Sequence, residues 1–128
     1  MKNRKGGKSM IKPLYKSFLV NESLQPLLDL CKHNPNYRGL VMFAYFDHKD
    51  DFYKYIRKQN LKIIKTIRHT FEDCYCLDNG SKIFAAVFCD SSCAHRVNGI
   101  MYQASIKSYF ADTVLTPMLI PYIEKEQK

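Results

Sequence analysis

The chain has 128 residues, of which 46% are hydrophobic and 25% charged, and its formal net charge at pH 7 is +8. This length suits one domain with its own apolar core, which we expect to span residues 13–128. No stretch approaches the roughly 20 apolar residues of a membrane-spanning helix, and the N-terminus lacks the apolar run of a secretory signal, so we expect a cytoplasmic protein, in the host cytoplasm if it is viral.

The positive charge is concentrated at the N-terminus. Residues 1–16 contain six lysines and arginines and no acid, so they supply six of the eight net charges. We expect residues 1–12 to be a flexible basic arm that binds nucleic acid or an acidic protein. The cations predicted to contact this partner are Lys2, Arg4, Lys5, Lys8 and Lys12 in the arm and Arg38, Arg57, Lys58 and Arg68 in the globular part.

Two helices and a strand are predicted in the first half of the globular part. A helix should begin with Ser23 as its cap and end near His33, because four apolar residues recur there at helical spacing. The uninterrupted apolar run over residues 39–46 predicts a strand buried on both faces. A second helix is predicted to begin with Asp47 as its N-cap, which places further acidic residues at the positive end of the helix.

A β-hairpin is predicted over about residues 70–90, where two β-rich segments flank the dipeptide Asn79-Gly80. A two-residue turn at this dipeptide would place Cys76 opposite Ile83. In that register the cysteines at 74 and 89 lie roughly 13 Å apart, at about 3.3 Å per residue, which is too far for shared zinc ligation. We therefore predict no metal site, and the odd count of five cysteines indicates reduced thiols.

The remaining segments complete the predicted fold. Residues 61–68 and 100–110 have strand composition, and residues 114–124 are predicted to form short helical pieces limited by Pro117 and Pro121. The order of elements is then α, β, α, β, β, β, β, α. This order indicates an α/β or α+β fold, with one mixed sheet that contains the hairpin and two to three flanking helices.

Three short motifs resemble, in this order, the ATPase domain of large terminases, the DNA-packaging motors of tailed phages. Residues 4–9 look like the end of that family's variant Walker A motif, residues 77–83 like its hairpin with an Asn-Gly-Ser turn, and residues 96–102 like the segment before its Walker B strand. The resemblance implies a phage or mobile-element origin, with ATP and magnesium as cofactors. The residues that it would place at the phosphates and the magnesium ion are Gly6, Gly7, Lys8, Ser9 and Asp112.

Two departures from that family pattern favour binding over catalysis. Thr113 stands where the family has the glutamate that polarises water, and we expect no buried strand ahead of residues 4–9. We therefore predict a non-catalytic protein that binds a polyanion through its basic arm. A degenerate terminase-like ATPase is the first alternative, and a metal-dependent nuclease that uses Asp90 and Asp112 at strand ends is the second.

Overall fold

The computed structural model describes residues 10–88 and 95–123. In chain order its strands are β1 (Met10–Ile11), β2 (Leu14–Phe18), β3 (Arg38–Phe43), β4 (Ile63–Arg68), β5 (Glu72–Leu77), β6 (Lys82–Val87), β7 (Gly99–Gln103) and β8 (Tyr122–Ile123). The α-helices in these ranges are α1 (Gln25–His33), α2 (Phe46–Ile56) and α3 (Ser108–Val114), and a 3-10 helix covers Thr116–Met118. None of the helices in the described ranges is long and apolar enough to cross a membrane.

Six of the strands form one mixed sheet in the order β2-β7-β3-β6-β5-β4. Strands β2, β7, β3 and β6 are parallel, and β5 is antiparallel to both of its neighbours, β6 and β4. The short strands β1 and β8 pair separately. The predicted mixed sheet with flanking helices is therefore confirmed.

The sheet separates two apolar clusters. On one side, α1 and α2 pack over a cluster that includes Val41 and Phe43. On the other side, α3 and the 3-10 helix pack over a cluster that includes Leu40 and Met42. Because β3 is covered on both faces, its side chains are apolar at successive positions, as the uninterrupted run in the sequence predicted.

Helices α1 and α2 both begin at one edge of the sheet. Helix α1 follows the carboxyl end of β2, and α2 follows the carboxyl end of β3. The parallel arrangement brings the carboxyl ends of β2, β7, β3 and β6 to this same edge. Ligands of open α/β sheets bind in crevices at such an edge.

The hairpin is present, but its register differs by one residue from the prediction. Cys76 lies opposite Lys82, not Ile83. The reason is a three-residue loop: the Gly80 N–H donates to the Leu77 carbonyl at 3.1 Å, and Gly80 adopts φ +88°, as in a type I turn followed by a left-handed residue. The side chain of Asn79, in the middle of this loop, donates to the Cys31 carbonyl of α1 at 2.9 Å and thereby ties the loop to the helix.

The structure also corrects several predicted boundaries. Helix α2 begins at Phe46 with Tyr45 as its N-cap, so Asp47 lies within the first turn instead of capping it. The strand predicted over residues 100–110 ends at Gln103, and α3 follows. Burial of Ala111 and Leu115 one helical turn apart stabilises α3 and overrides the strand preference of its aromatic residues.

Candidate nucleic-acid interface

Several predicted site residues lie outside the described residues. They are Lys2, Arg4, Lys5, Gly6, Gly7, Lys8 and Ser9 of the arm and the phosphate motif, and Asp90 of the nuclease alternative. Lys12 is exposed between β1 and β2. The residues that follow the motif form these two strands, whereas a P-loop leads into a helix. Asp112, predicted at a strand end, instead lies exposed on α3 and accepts a hydrogen bond from the Tyr15 hydroxyl at 2.8 Å.

Two of the predicted cations meet around one tyrosine. The guanidinium carbons of Arg57 and Arg68 lie 4.9 and 4.0 Å from the centroid of the Tyr53 ring. Arg68 also pairs with Asp50 at 2.7 Å and with Asp73 at 3.2 Å. Desolvation lowers the pKa of Arg68, but these two carboxylates outweigh it and raise the pKa above its ordinary value. The charge of Arg68 is therefore already matched inside the protein.

Arg38 belongs to a different group of cations, on the side of the sheet opposite α1 and α2. The pairing register places Arg38 opposite Lys82, Lys82 opposite Cys76, and Cys76 opposite Lys65. Residues directly opposite one another in a sheet point to the same face. We call Arg38, Lys82 and Lys65 the basic row; its three strand steps of about 4.8 Å span about 14 Å.

The basic row lies on a part of the sheet face that the described residues leave open. Lys65 and Lys82 are exposed. Next along the strands, Ile67 lies opposite Cys74 and remains 36% exposed. Lys58, in contrast, follows the end of α2. The fold thus separates the cations predicted from sequence, and only Arg38 of those in the globular part belongs to the row.

A stack of two rings lies beside the basic row. The His95 ring covers the Phe84 ring with centroids 4.1 Å apart and an interplanar angle of 18°. Arg38 lies over the same Phe84 ring, 5.2 Å from its centroid, and its Nε donates to the Arg96 carbonyl at 2.7 Å. The His95 side chain is 28% exposed. Its imidazole is therefore held flat against the sheet with part of its surface accessible.

Glu72 orients the imidazole. Its Oε2 lies 2.8 Å from His95 Nε2, while its Oε1 is buried without a hydrogen-bond partner among the described residues. Cations and an accessible stacked ring are groups with which proteins hold phosphates and bases.

Sequence reasoning missed five residues of this surface: Lys65, Glu72, Lys82, Phe84 and His95. The lysines have no distinctive local pattern, and they align only because β6 lies between β3 and β5. The loop of the hairpin was the one signal in the sequence that could have revealed this alignment, because a three-residue loop places Lys82 opposite Cys76. Comparisons with protein-family models, curated proteins and solved structures gave no match.

Proposed function

We propose that the protein is a non-catalytic nucleic-acid-binding protein that holds a single strand against the open face of β4, β5 and β6. The basic row would contact the phosphates, and the His95–Phe84 stack would receive a base. The N-terminal arm, with its four cations before Ser9, would neutralise further phosphates. Nothing in this mechanism requires a cofactor or a covalent step.

The basic row beside the ring stack carries this proposal. The three cations are spread over about 14 Å, which allows one extended strand to present successive phosphates to the row. Charge alone would suit an acidic protein equally well. A planar ring with an accessible surface next to the cations favours nucleic acid, because bases stack on such rings whatever their sequence.

The unpaired state of the strand follows from the same geometry. Bases inside a duplex are stacked on their neighbours, so the His95 ring can receive only an unstacked base. We therefore expect tighter binding of a single strand than of the matching duplex.

Fluorescence anisotropy with a dye-labelled single strand of about 16 nucleotides tests the proposal. The test variant carries Lys65→Ala and Lys82→Ala. The control carries Lys32→Ala and Lys54→Ala, which remove the same charge from exposed positions on α1 and α2. The test variant should bind at least about tenfold more weakly at 0.1 M salt, and its slope of log K against log salt should fall by about 1.4, at 0.7 per lost phosphate contact.

Three results would count against this function. Equal losses in the test and control variants would show that only net charge matters and that the row is not the interface. Tighter binding of the duplex would contradict the stacking of an unpaired base. Equally tight binding of polyglutamate would assign the surface to an acidic protein instead.

A further inference from the structure

A crevice of about 460 Å³ opens at the carboxyl edge of the parallel strands, between the beginnings of α1 and α2. Its volume lies within the range of small-molecule sites. It lies on the α1 and α2 side of the sheet, away from the basic row, and the proposed nucleic-acid binding does not use it. Position, size and independence from that surface make it a candidate for a separate ligand.

Aromatic rings form the floor of the crevice. Phe18, Phe43, Phe52 and Tyr55 all line it. The ring centroids of consecutive members of this series are 6.0, 5.6 and 6.1 Å apart. Phe18, Phe43 and Phe52 are almost fully buried and Tyr55 is half-buried, so the floor is apolar and the Tyr55 ring is the one most accessible to a cation.

The fixed charges around the crevice are all negative. Among the described residues, the charged side chains that line it are Glu22 and Asp51, with no lysine or arginine. Asp51 is exposed, and Glu22 uses its Oε1 to accept a hydrogen bond from the Leu19 N–H at 2.7 Å. In a chain of net charge +8, this crevice is a local site of negative charge.

The N-terminus of α1, which also lies at the crevice, does not offer a binding site for anions. Helix N-termini attract anions through free N–H groups, but here the Gln25 N–H donates to Ser23 Oγ at 3.0 Å. Pro26 has no N–H, and the Leu27 N–H donates to the Leu24 carbonyl at 3.1 Å. The first donors of α1 are therefore already used.

His48 also lines the crevice and is held there by Gln103. The buried Gln103 accepts a hydrogen bond at Oε1 from the Ala44 N–H at 2.7 Å, which fixes the orientation of its amide. Its Nε2 then donates to His48 Nδ1 at 2.6 Å. In this arrangement Nδ1 is the acceptor and the ring proton is on Nε2.

We propose that this crevice binds a small organic ammonium ion. The cation would lie against the aromatic floor near Asp51 and Glu22, and the attached apolar group would fill the space over Phe18 and Phe43. Attraction to ring faces and to carboxylates acts on the same positive centre, so a quaternary ammonium group satisfies both. His48 Nε2–H is available to a hydroxyl group of the ligand.

Choline and its uncharged isostere, in which a tert-butyl carbon replaces the nitrogen, provide the test because they have the same shape. Isothermal titration calorimetry, with amide shifts in NMR to locate the site, should show choline binding in the crevice and binding of the isostere weaker by fivefold or more. Asp51→Asn should weaken choline binding about two- to fivefold, as expected for an exposed ion pair. Asp78→Asn, an equal charge change in the hairpin loop outside the crevice, should have no effect.

Equal affinity for the two isosteres would show an apolar crevice without charge preference and would overturn the proposal. Equal effects of the Asp51 and Asp78 variants would also overturn it, because net charge alone would then explain binding. Absence of any choline binding at millimolar concentration would refute the site. None of these results affects oligonucleotide binding by the basic row, so the two proposals fail separately.

Discussion

A buried ion pair between α2 and β5 allows the sharpest prediction about stability. The Lys49 ammonium lies 2.9 Å from Asp73 Oδ1, and the two side chains are only 3% and 0% exposed. Asp73 Oδ2 accepts further hydrogen bonds from Arg68 Nε at 3.2 Å and from the Tyr75 hydroxyl at 3.4 Å. Lys49 also donates to the His69 carbonyl at 3.2 Å. The pair thus joins the helix to the first strand of the hairpin.

Asp73→Ala would leave the Lys49 ammonium buried, with the His69 carbonyl as its one remaining partner among the described residues. Removing one member of a buried pair costs about 3–5 kcal/mol, because the other charge stays desolvated without its counterion. A domain of this size is stable by about 5–15 kcal/mol in total. The variant should therefore lose at least about a fifth of its free energy of unfolding, with a fall in Tm of about 12–20 °C at about 4 °C per kcal/mol.

Urea unfolding followed by circular dichroism measures this loss, with Asp50→Ala as the matched control. Asp50 pairs with the same Arg68 but is 60% exposed, so its removal should cost less than about 1 kcal/mol. The double variant Lys49→Met with Asp73→Leu should recover most of the stability, because no unpaired charge then remains at Lys49. Equal losses for Asp73→Ala and Asp50→Ala would refute this reasoning, as would a double variant no more stable than Asp73→Ala.

Two further predictions concern pH and the N-terminal arm. Burial raises the pKa of Cys31 to about 12 and the pKa of Tyr37 above its ordinary value. Because the unfolded chain ionises first, each group should lower the stability above its ordinary pKa, 9.0 for Cys31 and 10.0 for Tyr37, by about 1.4 kcal/mol per pH unit. Urea unfolding from about pH 8 to 11 measures this fall, which should be shallower in Tyr37→Phe, and a flat profile would contradict it. Deletion of residues 1–8 retains β1 but removes four cations. The slope of log K against log salt for oligonucleotide binding should then fall by up to about 2.8, while Tm stays unchanged. An unchanged slope would assign binding to the sheet alone.

Elements with strong local patterns could be predicted from the sequence. In α1, Leu24, Leu27, Leu28 and Cys31 recur at helical spacing, and all four are buried in the structure. The position of the hairpin followed from Asn79-Gly80, because glycine readily adopts the left-handed conformation that Gly80 has at φ +88°. In α1 the local pattern and the tertiary contacts agree, whereas in the hairpin the local pattern located the turn but not its register.

Strand β2 and helix α3 depend on distant parts of the chain. Lys16 and Ser17 are exposed at the edge of the sheet, so residues 14–18 show no clear apolar alternation. Each residue of β2 pairs with a residue of β7 that lies 85 positions later in the sequence. In α3, Tyr109 and Phe110 favour a strand by composition, yet they are 72% and 46% exposed while Ala111 is buried. The buried face of the helix, not its most apolar residues, decides its conformation.

The candidate interface depends on the hairpin register more than on any single residue type. With the two-residue turn predicted from sequence, Ile83 would share the face of Cys76 and Lys82 would point to the α1 and α2 side, because a slip of one residue exchanges the two faces of a strand. The extra loop residue places Lys82 on the open face and leaves Ile83 fully buried. The register of this loop therefore both completes the core and aligns Lys82 with Arg38 and Lys65.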